Sequence, residues 1–160
     1  APREGRGPMM LARRPSPISI SVRSGARAPR MALARLMSGL APLHLDVEEA
    51  GTVELVLAEV LNNICEHAYA EAEDAGVIEL SCRQGPGGLI FGVTDDGHPM
   101  PNGQTPLGMQ AELDVDVMDM PEGGFGWFLI QDLAKDVRYE RQGGRNHLSL
   151  RIAVAGLPPI

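Results

Sequence analysis

Glu59, Asn63 and His67 recur at intervals of four. At about 100° per residue, that spacing draws a slowly drifting stripe along one side of a helix. The apolar residues of the same stretch, Val53, Leu57, Val60, Leu61, Ile64 and Ala68, form the neighbouring stripe, so the three polar side chains belong at the edge of a core. A carboxylate there can take a proton from a hydroxyl, and an amide oxygen can bind a hard cation such as Mg2+. A second group with chemical potential is Asp95-Asp96-Gly97, directly after the apolar run 89–94. An acid at a strand end can accept a hydrogen bond from the exocyclic amine of a base at the mouth of a cleft. The third is Gly123-Gly124-Phe125-Gly126, which leads straight into Trp127, Phe128, Leu129 and Ile130. Glycines that open a helix expose unpaired N–H groups and the positive end of its dipole, which suits phosphate. Each feature also has a plainer reading: a solvated amphipathic helix, an ordinary turn and a tight loop-to-helix junction.

The elements that must position these residues follow from periodicity and punctuation. Residues 18–22 alternate apolar and polar, the period of a half-buried strand. Residues 27–40 carry Met31, Leu33, Ala34, Leu36, Met37 and Leu40 at helical spacing, with Pro29 near the first turn and Gly39 and Pro42 marking the end. Asp46 is placed to cap a second helix running to about Ala70, with Glu48 and Glu49 in its first turn. Residues 77–83 and 89–94 read as two strands joined by a turn at 84–88. A long acidic loop rich in proline and glycine occupies 96–124, and loops of that length are usually functional. A short helix over 126–134 and a hairpin of 137–141 with 147–154 around Gly143-Gly144 close the chain. Strands paired in hairpins with helices on one face predict an α+β fold, a two-layer α/β sandwich with a mostly antiparallel sheet. Residues 1–17 lack periodicity and read as a flexible basic tail without the apolar centre of a secretory signal. A single domain then covers 18–156, and 157–160 form a C-terminal tail.

Composition narrows the classes. With 160 residues, 44% hydrophobic and 22% charged, the chain has the make-up of one globular domain and not of a wholly disordered one. No run approaches the roughly 20 apolar residues that span a bilayer, so no membrane partner is expected. Cys65 and Cys82 form no CxxC pair and fit a reducing cytoplasm. The net charge of −7 divides unevenly: residues 1–35 carry +7 and residues 36–160 carry −14. An acidic body with only 4% aromatic residues argues against direct nucleic-acid binding.

In this order the three groups resemble the ATP-binding domain of the GHKL superfamily, which includes gyrase, the mismatch-repair ATPases, histidine kinases and anti-sigma-factor kinases. The stretch EVLNNICEHAY at 59–69 is similar to the N-box of the anti-sigma-factor serine/threonine kinases of the RsbW and SpoIIAB type. VTDDG at 93–97 resembles the first glycine box, and GFGWFLI at 124–130 the second. The resemblance covers roughly residues 18–153. It implies a GHKL (Bergerat-type) sandwich with an ATP lid at about 98–124, and the cofactors ATP and Mg2+. Asn63 would bind Mg2+, and Glu59 would be the general base that takes a proton from an acceptor serine or from water. Asp95 would bind adenine, with Gly97 allowing close approach of the ring, and Gly124 and Gly126 would fold the lid over the phosphates. Trp127 and Phe128 are expected to enter the core, Tyr69 to pack at a helix end, and His67 to be structural before catalytic.

Three departures from the family's pattern bear on activity. Pro99 stands where the first glycine box usually continues with glycine, and Asn146 would have to replace a small hydroxyl residue before the last strand. No Lys or Arg occurs between Arg83 and Lys135, so the lid brings no cation to the γ-phosphate; Mg2+, backbone N–H groups or a residue such as Arg145 would neutralise it. The resemblance implies a protein serine/threonine kinase that phosphorylates an anti-sigma antagonist and regulates a sigma factor by partner switching. The alternative is an ATP/ADP-binding partner switch with little or no kinase activity. Partners would be the antagonist, the sigma factor, or a second copy in a homodimer through Arg30 on the first helix.

Overall fold

The structure is a computed structural model that describes residues 17–68, 76–99 and 124–157. Residues 1–16, which make up nearly all of the predicted tail, lie outside the described residues. So do Tyr69, residues 100–123 of the predicted lid, and residues 158–160 of the C-terminal tail.

Strand β1 (Ile18–Arg23) buries Ile20 and Val22 and exposes Ser19 and Ser21, as its alternation predicts. Helix α1 (Ala28–Leu40) starts with Pro29 in its first turn, where the missing N–H costs nothing. Its core face is Ala28, Ala32, Leu36 and Leu40, one residue every four. Of the residues expected at helical spacing, Leu36 and Leu40 lie on this face and Leu33 and Met37 pack against the core beside it. Met31 is 45% exposed, and Ala34 also faces out. Near its C-terminal end the helix lies close to β1: a Cβ on Gly39 would stand 3.0 Å from Ile18 Cδ1.

A 3-10 turn (Ala41–Leu43) leads to helix α2 (Val47–Asn63). Asp46 caps it as predicted, and the cap is reciprocal: Glu49 N donates to Asp46 Oδ1 at 2.7 Å and Asp46 N to Glu49 Oε1 at 3.1 Å. The other oxygen of Glu49 accepts from Ala155 N at 2.8 Å, tying the chain after the last strand to this helix start. The α-helix stops at Asn63 and not near Ala70; a π-helical turn (Ile64–Ala68) follows. The Asn63 amide donates to the Glu59 carbonyl at 2.7 Å, and such side-chain competition for an i−4 carbonyl loosens the helical ladder where the turn widens.

β2 (Val77–Gly85) and β3 (Gly88–Asp95) form a hairpin whose turn holds Pro86 and Gly87, the latter at φ +74°. Helix α3 (Gly124–Leu133) begins two residues before the predicted position. β4 (Lys135–Gln142) and β5 (Arg145–Ala153) form a second hairpin around Gly143 and Gly144, both at positive φ, as a two-residue turn requires. The sheet order is β1-β2-β3-β5-β4 and every neighbouring pair is antiparallel. Its inner face contributes Ile20, Leu80, Val93 and Leu148 as one cross-strand row and Cys82, Phe91 and Leu150 as another. These rows share a single core with Leu36, Val53, Leu57, Leu61, Trp127 and Ile130 from the helices. The opposite face carries Ser19, Glu79, Ser81, Arg83, Arg138 and Glu140 and is exposed. The α+β, two-layer expectation therefore holds, with helices on one face of the sheet. Trp127 is buried and Phe128 packs against the core, as expected. Cys65 and Cys82 are free thiols, and burial pushes the Cys82 thiol up to about 12. No helix among the described residues is long and apolar enough to cross a membrane.

Candidate functional site

Among the described residues three polar side chains are buried: Asn63 (8% exposed), Asp95 (3%) and Asn146 (5%). Burying such groups is costly without partners, so the partners of each, and the atoms left over, define what the site can bind.

Asp95 ends β3. The pleat that turns Leu89, Phe91 and Val93 inward turns its carboxylate inward too. The cross-strand row at this end of the inner face runs Val22, Ile78, Asp95, Asn146, Arg141. Asp95 Oδ1 accepts from Gly97 N at 2.9 Å, closing an Asx turn, and from Asn146 Nδ2 at 2.8 Å. Asp95 Oδ2 accepts no hydrogen bond from the described residues. Burial pushes the carboxyl above its usual range, with Asp96 adding to the effect; the bonds from Asn146 and Gly97 and the charge of Arg141 oppose it.

Asn146 lies within β5, not before it, because the two-residue hairpin starts the strand at Arg145. Its Nδ2 also donates to His98 O at 2.9 Å. Its Oδ1 accepts from Arg141 Nη1 at 3.0 Å and from the Tyr139 hydroxyl. Arg141 Nη1 donates in addition to Gly97 O at 2.7 Å. Neither residue type nor spacing marks Tyr139 and Arg141 in the sequence. The signal lay in the hairpin: with Gly143-Gly144 as the turn, Arg141 is paired with Asn146 by counting.

The second group sits on α2. Glu59 is half-buried and Asn63 buried one turn later, at the edge of the core as the stripe predicts; the His67 side chain lies outside the described residues. The bond from Asn63 Nδ2 to the Glu59 carbonyl fixes the amide, because a carbonyl accepts only from the nitrogen end. Asn63 Oδ1 remains as a neutral hard acceptor. No three His, Cys, Asp or Glu among the described residues converge to hold a metal. A cation here would therefore be held by one or two protein oxygens together with phosphate oxygens, the habit of Mg2+. The residues fit that group. Gly124 and Gly126 lie in the first turn of α3, which packs on α2 and starts with N–H groups that no helical carbonyl satisfies.

Arg145 is not part of the site. It neighbours Asn146 in β5 and so points to the opposite sheet face, where it lies 3.4 Å from Glu79. The expectation that it could reach a γ-phosphate is corrected by the pleat.

Residues 24–152 match the histidine kinase-like ATPase domain family. The chain is similar to the structure of the RsbU and RsbW domains of Rv1364c from Mycobacterium tuberculosis, at 17% identity and a TM-score of 0.57, covering 87% of this chain and 32% of that one. It is also similar to the histidine kinase domain of the blue-light activated histidine kinase from Erythrobacter litoralis EL346, at 27% identity and a TM-score of 0.48, covering 68% of this chain and 46% of that one. The chain thus spans under half the length of either. No curated protein matches it significantly. With four-fifths of its residues inside the family's match and a fold to suit, the chain belongs to the histidine kinase-like ATPase domain family.

Proposed function

We propose that this ATPase-domain protein is a protein serine/threonine kinase of the anti-sigma-factor type, which binds ATP and passes its γ-phosphate to a serine of an anti-sigma antagonist. The observation that carries the reading is the burial of Asn63 and Asp95, each with one side satisfied by the protein, beside Asn146, whose amide is satisfied at both ends. Asp95 offers Oδ2 to the adenine amine, while Asn146 and the Gly97 N–H hold its other oxygen. Guanine would turn a carbonyl oxygen to the same carboxylate and leave two acceptors facing. Gly97 leaves room for the ring. Gly124 and Gly126 aim backbone N–H groups at the phosphates. Asn63 presents Oδ1 to Mg2+, which when bound supplies charge neutralisation on the phosphates. Glu59 takes the proton of the acceptor serine as it attacks.

A second reading is favoured by one observation. Arg145 is turned to Glu79 on the far face, and the sequence holds no Lys or Arg from 84 to 134. An ATP/ADP-binding partner switch with little transfer suits that shortage of positive charge. Incubation with ATP labelled at the γ-phosphate and candidate antagonists, beside an equilibrium ATP and ADP titration, separates the two. The kinase reading expects label on the antagonist. Tight nucleotide binding with no label on any antagonist would favour the switch, and no binding would remove both.

Partners are assigned to the antagonist, the sigma factor or a second copy, through α1. Arg30, Met31 and Ala34 are exposed there on an otherwise acidic body. Arg30→Glu is expected to weaken self-association or partner binding in light scattering, with the melting temperature unchanged. Normal binding to every partner would reduce the helix to a solvated face.

A further inference from the structure

We propose that Arg141, an exposed residue of edge strand β4, is a positioning residue that sets base specificity by acting on Asp95 through Asn146 and Gly97. The inference rests on the reading of Asp95 as the adenine contact.

The geometry divides the Asn146 amide into two committed halves. Its nitrogen donates to Asp95 Oδ1 at 2.8 Å and His98 O at 2.9 Å. Its oxygen accepts from Arg141 Nη1 at 3.0 Å and from the Tyr139 hydroxyl. A flipped amide would set its oxygen against two acceptors and its NH2 against a guanidinium, which can only donate. The hydroxyl of Tyr139 can donate or accept, so it tolerates either state; Arg141 does not. The bond from Arg141 is charge-assisted, and pulling on the amide oxygen strengthens donation from the amide nitrogen. The same Nη1 holds Gly97 O at 2.7 Å, and Gly97 N is the other donor to Asp95 Oδ1. Arg141 therefore braces both donors that saturate this oxygen.

The consequence is a carboxylate with one free acceptor and no freedom to turn. Oδ1 is filled twice, and Oδ2 is left for a ligand that donates. The positive charge of Arg141 also works against the burial that favours a protonated carboxyl. A protonated or rotated Asp95 could donate to a guanine carbonyl. An ionised, braced one cannot. Adenine is thus selected by two residues, Asn146 and Arg141, beyond the one that touches it.

The test is calorimetric titration of the full chain with Mg-ATP and Mg-GTP, comparing wild type, Arg141→Met and Arg141→Lys. Wild type is expected to prefer ATP. Arg141→Met should lose about tenfold or more of the ATP-over-GTP ratio, and Arg141→Lys, which keeps a charged donor, should recover much of it. Melting temperatures check that each variant is folded. An unchanged ratio in Arg141→Met, or an equal weakening of both nucleotides, would overturn the role of Arg141 and leave Asp95 as the base contact. A wild type without preference for ATP would overturn the reading of Asp95 and this inference with it.

Discussion

The two ends of the candidate site are built differently. At the Asp95 end, four side chains and three backbone groups from β3, β4, β5 and the turn after β3 are joined by hydrogen bonds before any ligand arrives. At the Glu59 end, the two side chains share one recorded bond, from the Asn63 amide to the Glu59 backbone, and the Glu59 carboxylate has no partner among the described residues. The first end is a rigid recognition surface on a sheet, where cross-strand pairing supplies partners. The second is the flank of a helix, where neighbours along the chain supply few. On the proposed reading, such a site would read its base with groups already in place and leave the phosphates to be organised by cation, backbone and acceptor protein. Rigid contacts give discrimination, and the open end allows exchange of nucleotide and partner.

The comparison can be broken most forcefully at the open end. If Glu59 is the base, Glu59→Gln removes it and little else, so phosphotransfer should fall about 10²–10⁴-fold while ATP affinity holds. Transfer at the wild-type rate would show that Glu59 is not the base. At the rigid end, Asp95→Asn should lower ATP affinity about 10- to 100-fold in a direct titration. The same change should leave the melting temperature at pH 7 unchanged or raised. The carboxyl of Asp95 holds its proton more tightly in the folded than in the unfolded chain, so its contribution to stability is lost as pH rises from the unfolded value to the folded one. For the same reason ATP affinity should fall as pH drops through that raised value, because a protonated Asp95 no longer accepts freely; a profile flat throughout the acidic range would contradict this. Asn63→Ala should have the smallest effect of the three, about tenfold, confined to the Mg2+-dependent part of binding. Equal losses with and without Mg2+ would move the cation elsewhere.

Much of the fold is legible in the sequence because it rests on local patterns. Alternation marks the inner face of β1, apolar runs bounded by turns mark β2 and β3, Asp46 marks the start of α2, and Gly143-Gly144 marks the last turn. The face of α1 is not legible in this way. Ala28 and Ala32 carry little hydrophobic signal although they are buried, while the larger Met31 is 45% exposed. In the candidate site, Asp95 and Asn63 stand out by residue type and spacing. Tyr139 and Arg141 do not, since their roles depend on β4 pairing with β5 and β5 with β3. Arg145 misleads for a related reason: one step along a strand moves a side chain to the other face. The π-helical turn after Asn63 leaves no mark in the periodicity.

The central claim is that a prebuilt Asp95 end selects an adenine nucleotide. Equilibrium titration of the unmodified protein with Mg-ATP and Mg-GTP tests it most directly. Binding of ATP with about tenfold or greater preference over GTP is the predicted result. Equal affinity for the two, or no binding of ATP, would contradict it.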